Sequence, residues 1–416
     1  MSAFQVLGLV ITLVAVFGYF NHRFIKLPDA VGITAIGVIA SVLAVLLARF
    51  DPALARAVKT VTENIDFPGL LLHGILGLLL FAGSLQINAA DIAKEKWLIL
   101  VLATCGVLLS TAIVGALFYA VVTLWLGLGI PLLYCMLFGA LVSPTDPVAV
   151  LAVLKRVGVP KSLETRIAGE SLFNDGTAVV VFLTLLEIGV GRGKADATST
   201  ALLFATEVIG GSAFGLVAGY VAFLMMRRID SYPVEILITL ALATGGYALA
   251  EALHVSAPIA VVLMGLFVGN RGKREAMSDR TQARLFDFWE IVDELLNLLL
   301  FGLIGLEMMA LRFSWPQAAA ATCAIVIVLT ARFVSVSATI LATPRLRQVR
   351  KTAITIMTWG GLRGGISIAL ALSLPPFAGR ETVISTTYGV VIFSILVQAL
   401  TLRRVAERVM TGAPNR

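Results

Sequence analysis

Charge is the first thing this sequence lacks. Only 14% of its 416 residues are Asp, Glu, Lys or Arg, while 59% are hydrophobic. At a mean hydropathy of +0.96, the chain cannot present the charged, wetted surface of a soluble globular protein. Cysteine is nearly missing as well. Cys105, Cys135 and Cys323 each sit inside an apolar stretch, an odd count without ligand-like spacing, which argues against a disulfide scaffold or a zinc site. His22, His73 and His254 are isolated near span ends or loops, which leaves no basis for His-centred catalysis. Gly193-Lys194 is not a phosphate loop, because the glycine required five residues before Gly193 is Ile188. Long polar connections are absent. The longest, near 49–68 and 270–285, are too short to fold as soluble domains, and no ATP-hydrolysing module is attached. The net charge is +7, yet the basic residues cluster between apolar runs, which speaks against a nucleic-acid surface.

What is present is apolar sequence in pieces of membrane-crossing length. About 20 residues cross roughly 30 Å of hydrocarbon. Thirteen intervals qualify: 3–21, 29–48, 69–88, 97–121, 131–154, 165–189, 199–226, 233–251, 255–269, 286–309, 316–342, 352–374 and 382–402. They predict an all-α polytopic membrane protein, one transmembrane domain over 1–416 without a soluble regulatory domain. Arg23 and Lys26 follow the first span, the reverse of a cleavable secretory signal, so that segment is kept as a span. Loops starting at 22, 89, 155, 227, 270, 343 and 403 hold 23 Lys and Arg, and the alternate set holds 7. The positive-inside rule then puts the N-terminus outside and the C-terminus in the cytoplasm. Two basic residues remain, Arg332 and Arg363, near the middle of spans.

An ionisable side chain at the bilayer centre costs about 2.5–3.5 kcal/mol on insertion scales, so each one marks a functional site by default. Asp146, Glu170, Asp175, Arg332 and Arg363 qualify. Glu187, Glu207, Glu235, Asp293, Glu294 and Glu307 lie nearer span ends, where snorkelling or aqueous vestibules relieve the cost. Asp287, Glu290, Asp293 and Glu294 open the tenth span and suit a helix N-terminus; a cation-gathering funnel is the alternative.

Asp146 belongs to Ser143-Pro144-Thr145-Asp146-Pro147 in the fifth span. Each proline removes an amide donor and disfavours helix in the residue before it, so the run predicts an interrupted helix. The twelfth span is weakened around Arg363 by Gly360, Gly361, Gly364 and Gly365. By the assigned topology, spans 4–6 and 11–13 have opposite orientation. Two broken helices in corresponding positions of inverted halves point to a substrate site near the midplane. In the sixth span, Glu170 and Asn174 share one helical face and Ser171 and Asp175 another. Asp175 lies roughly 12–18 Å deep, opposite the Thr145–Asp146 break. Hydroxyls, two carboxylates and free carbonyls make an all-oxygen shell, suited to a hard alkali cation.

Two carboxylates in one partly desolvated cavity repel each other when both are ionised, so the pair takes up either a proton or a cation. Competition for one site, with alternating access, is itself an exchange mechanism. Glu170 can be neutralised by Arg332 as a well-bonded buried pair. Arg363 can offset carbonyl dipoles at the breaks instead, and the sequence does not decide between these partners.

Four blocks, SPTDPVAV, GESLFNDGTAVVVF, LLNLLLFGLIGLEM and WGGLRGGISIALALSLP, occur in this order over about 250 residues. With YALAEALHVSAPIAVVLMGLFVG they resemble the monovalent cation/proton antiporter family, in its sodium/proton exchanger branch. The resemblance implies a thirteen-helix protomer whose core bundle includes 131–154, 165–189, 316–342 and 352–374. By the same resemblance, the remaining spans are expected to include a dimerisation bundle and the protein to form a homodimer. It also implies that Asp175 is the essential carrier, that Asp146, Thr145 and Ser171 complete a Na+ site, and that Glu170 and Arg332 form a stabilising pair. Asn174 before Asp175 matches the Asn-Asp branch, usually electroneutral. Three positions depart from the pattern. Ala257 and Pro258 stand where members commonly carry Gly, and Ala82 stands where some relatives place a Glu, which puts an additional acidic contribution in doubt.

The expected function is exchange of Na+ or Li+ for H+, with no cofactor and with membrane lipid as the surroundings. Potassium/proton exchange uses the same parts, and a sodium-coupled symporter for an organic solute is a further alternative. The chain ends about 14 residues after its last span, which suggests a prokaryotic plasma membrane.

Overall fold

Backbone groups in lipid have to be satisfied within their own segment, so apolar runs fold as helices. The computed structural model describes residues 3–48, 50–51, 67–189, 197–310, 314–343 and 350–411, and every element among them is helical. All thirteen predicted intervals hold helix. Nine helices among the described residues are long and apolar enough to cross a membrane. The other four intervals deviate for physical reasons. The fifth and twelfth are broken, as Leu132–Leu141 with Val148–Val157 and as Arg350–Trp359 with Gly365–Leu372. The ninth, Ala257–Phe267, continues through Val268–Gly272 into Lys273–Glu275 and carries Arg271, Lys273 and Arg274 in its last turns, and the tenth, Asp279–Glu307, is charged over its first half. Gly193, Lys194 and most of the 49–68 connection lie outside the described residues.

The fourth span begins earlier than hydropathy predicts, at Ala89. Asn88 caps it by accepting from the Ala90 N–H at 2.9 Å. Its charged first turns are then held by ion pairs: Asp91 meets Lys94 and Lys161, and Glu95 meets Arg166 at 2.9 and 3.0 Å.

Side chains from most spans share one apolar core around the two breaks, and a second core joins the third, seventh, eighth, ninth and tenth spans. Lipid tails are as apolar as leucine, so packing and hydrogen bonds, not the hydrophobic effect, hold helices together here. Phe118 of the fourth span stacks on Phe138 of the fifth, ring centroids 4.2 Å apart. Trp289 of the tenth packs on Phe81 of the third and donates its indole N–H to Thr239 of the eighth at 2.9 Å. The fourth and eleventh spans lie side by side, and each leads into a broken helix. This arrangement brings the two breaks face to face.

Candidate ion site

The fifth span stops at Leu141, and residues 142–147 run as non-helical chain before Val148 restarts the helix. Asp146 closes the new helix by accepting from the Val148 N–H at 2.9 Å. Three carbonyls of the break, those of Ser143, Pro144 and Thr145, each find a side-chain donor. The Arg363 guanidinium donates to the Ser143 carbonyl and, at 2.9 Å, to that of Pro144. Ser171 donates its hydroxyl to the Thr145 carbonyl. In return, the Asp146 N–H donates to the Leu362 carbonyl at 2.8 Å, so the two breaks are stitched together from both sides. The choice left open for Arg363 is therefore settled by geometry: it partners carbonyls, while Glu170 belongs to Arg332.

The sixth span, Lys161–Gly189, contributes its polar residues in pairs. Asn174 donates to the Thr145 hydroxyl at 2.9 Å and accepts weakly from the Thr145 N–H at 3.4 Å. Glu170 receives both arms of Arg332, with Nη2 at 2.9 Å from Oε2. Arg332 Nε also donates to the Met357 carbonyl at 3.2 Å, in the last turn before the twelfth-span break. One guanidinium thus ties spans 6, 11 and 12. Glu170 is 1% exposed and Arg332 7%, a buried pair that is tolerable only with this bidentate geometry.

The crossing opens into a cavity of about 570 Å³ lined by Thr145, Asp146 and Asp175. Asp175 is 7% exposed, whereas Asp146 is half-buried. The two carboxylates lie within electrostatic reach of each other. Gly364 backs the cavity because nothing larger fits: a Cβ there would stand 2.7 Å from Asp146 Oδ2. Ser171 does not line the cavity. It sits behind Thr145, with its hydroxyl engaged on the carbonyl.

Glu290, Asp293, Glu294 and Asn297 of the tenth span line the same cavity, and Lys155, Lys161 and Glu164 stand toward the mouth. The sequence offers two readings of these acidic residues, a helix N-terminus and a cation-gathering funnel, and Glu290, Asp293 and Glu294 stand on the cavity wall. The spacing of 290, 293, 294 and 297 is one helical face, a signal that was readable. Asp287 does not take part and is exposed. Glu235 differs from expectation too. It does not snorkel but is fully buried, accepting from the Ser231 N–H at 3.2 Å and the Thr281 hydroxyl at 3.4 Å. Ala82 is wholly buried, so the third span places no carboxylate there.

The sequence model of the family described as "Sodium/hydrogen exchanger, transmembrane" matches residues 10–408. The chain is 48% identical over 410 residues to the Na(+)/H(+) antiporter NhaP of Pseudomonas aeruginosa, covering 97% of this chain and 96% of that one. It is 34% identical to the Na(+)/H(+) antiporter NhaH of Halobacillus aidingensis, with the same shares covered. In fold it is similar to the sodium proton antiporter MjNhaP1 from Methanocaldococcus jannaschii, with a TM-score of 0.73 at 19% identity, over 100% of this chain and 99% of that one. A match across nearly the whole length, on top of two crossed broken helices around a pair of aspartates that face one cavity, means that this multi-pass membrane protein belongs to the sodium/hydrogen exchanger family.

Proposed function

We propose that the protein exchanges Na+ or Li+ for H+ across the membrane. One observation carries this reading: Asp146 and Asp175 face a single cavity at the crossing of two broken helices. Ionising both carboxylates in one partly desolvated cavity is unfavourable, so the pair favours taking up a proton or a hard monovalent cation. Thr145 Oγ1 and the carboxylate oxygens supply an all-oxygen shell, and Ser171 joins it when its hydroxyl turns from the Thr145 carbonyl. Sodium arriving from one side displaces the proton, the loaded site is re-exposed on the other side, and a proton there displaces sodium.

Glu170, Arg332 and Arg363 have a positioning role. They cancel their own charges or satisfy freed carbonyls, and leave Asp175 and Asp146 as the groups that change charge. With Asn174 in place of a second mid-helix carboxylate, the cycle is electroneutral, one cation for one proton. The cavity mouth lies beside Lys155 and Lys161, on the face that the positive-inside rule assigns to the cytoplasm. Spans 131–154, 165–189, 316–342 and 352–374 belong to the moving core, the remaining spans include the contact with a second copy, and the setting is a prokaryotic inner membrane.

Reconstitution in liposomes with an internal pH dye tests the reading. Adding sodium or lithium should collapse a preset pH gradient, and adding an equal amount of choline should not. A gradient that sodium leaves intact would contradict it.

A further inference from the structure

Exchange needs a path on the membrane face opposite the cavity mouth as well. On the tenth span the deepest residue lining the cavity is Leu300. Glu307 follows seven residues later, about 10 Å further along the helix axis and toward the other face. It is 9% exposed, and among the described residues it makes no ion pair. Tyr388 of the thirteenth span lies within electrostatic reach of Glu307. Tyr388 is fully buried, and among the described residues its hydroxyl has no hydrogen-bond partner. Ser367 lines the cavity, is fully buried, and has an unpartnered hydroxyl as well. It sits in the first turn of Gly365–Leu372, the half-helix that packs directly on Arg380–Phe393, which carries Tyr388.

A buried carboxyl without an ion pair among the described residues and two buried hydroxyls without hydrogen-bond partners among them are costly if their task is packing, because Gln, Phe and Ala would fill the same space. Polar groups at this depth are retained where a second conformation wets them. We propose that Ser367, Tyr388 and Glu307 line the half-path on the far side of the ion site. In the alternate state, the Ser367 hydroxyl receives the monovalent cation released from Asp175, and the Glu307 carboxylate holds the cation or a proton at the far mouth. Tyr388 is embedded in the apolar core here, so this half-path is closed in the present conformation. The proposal rests on the exchange reading above.

Right-side-out and inside-out vesicles present the two faces separately to added sodium. In Glu307→Gln and Tyr388→Phe, the half-saturating sodium concentration should rise about three- to tenfold at the far face, the effect of one lost polar contact, and stay unchanged at the cavity face. Wild-type values on both faces, or an equal rise on both, would overturn the proposal. A second probe is Tyr388→Cys in a background with Cys105, Cys135 and Cys323 replaced by Ser. A membrane-impermeant thiol reagent should modify it from the far face during sodium-driven turnover; modification from the cavity face only, or none, would overturn the proposal too. The wild type keeps the two readings apart. Failure of sodium to move protons in it contradicts exchange itself, whereas normal exchange with unaltered variants contradicts the half-path alone.

Discussion

At the scale of single residues, the sixth span sorts its carboxylates by partner. Glu170 is neutralised by a bidentate guanidinium and is unavailable to a cation, whereas Asp175, five residues on, faces the cavity without one. Asp175→Asn should therefore abolish sodium-driven proton movement while leaving folded yield and melting temperature near wild type, as read by dye assay and thermal melting in parallel. Arg332→Ala has the opposite signature. It strands a buried charge, which costs about 3–5 kcal/mol, and should appear first as lost folded protein. The double variant Glu170→Gln, Arg332→Gln should recover part of that loss in melting temperature. If Arg332→Ala melted like wild type, the pair would not be a structural tie.

At the scale of elements, the two interrupted helices are what make a site out of spans. Their existence was legible in the chain, since Pro144 and Pro147 disfavour continuous helix and the four glycines around Arg363 weaken it. All thirteen helical intervals were legible from hydropathy for a similar reason, because lipid leaves the backbone no alternative. Which side chain meets which break was not. Helical periodicity places Asp293 and Asn297 on one face but says nothing of the helix that face will meet. Likewise, Arg363 had two chemically acceptable partners until the crossing brought the Ser143 and Pro144 carbonyls within its reach. Two outcomes follow at this scale. Gly364→Ala pushes a methyl against Asp146 Oδ2 and should lower turnover by about tenfold, equivalent to about 1.4 kcal/mol, with little change in melting temperature. Asp293→Asn removes charge from the funnel wall. It should raise the sodium concentration needed at the cavity face at low ionic strength, and the difference should shrink as an inert salt screens the field. A salt-independent effect would place Asp293 in direct contact with the ion.

At the scale of the whole molecule, Glu170 and Arg332 cancel each other near the midplane and Arg363 is held by the Ser143 and Pro144 carbonyls, so in the proposed cycle Asp175 and Asp146 are the groups whose charge changes with the cargo. Transport in liposomes should then proceed at the same rate whether the membrane potential is clamped at zero or driven by a potassium gradient; a rate that follows the potential would rule out one-for-one exchange. The central claim is that a proton and a sodium ion compete for one acidic site. It is tested most directly by titrating sodium into the purified protein in buffers of different ionisation enthalpy and counting protons by calorimetry. The account predicts about one proton released per sodium bound, and neither binding nor release in Asp175→Asn. Sodium binding without proton release would contradict it.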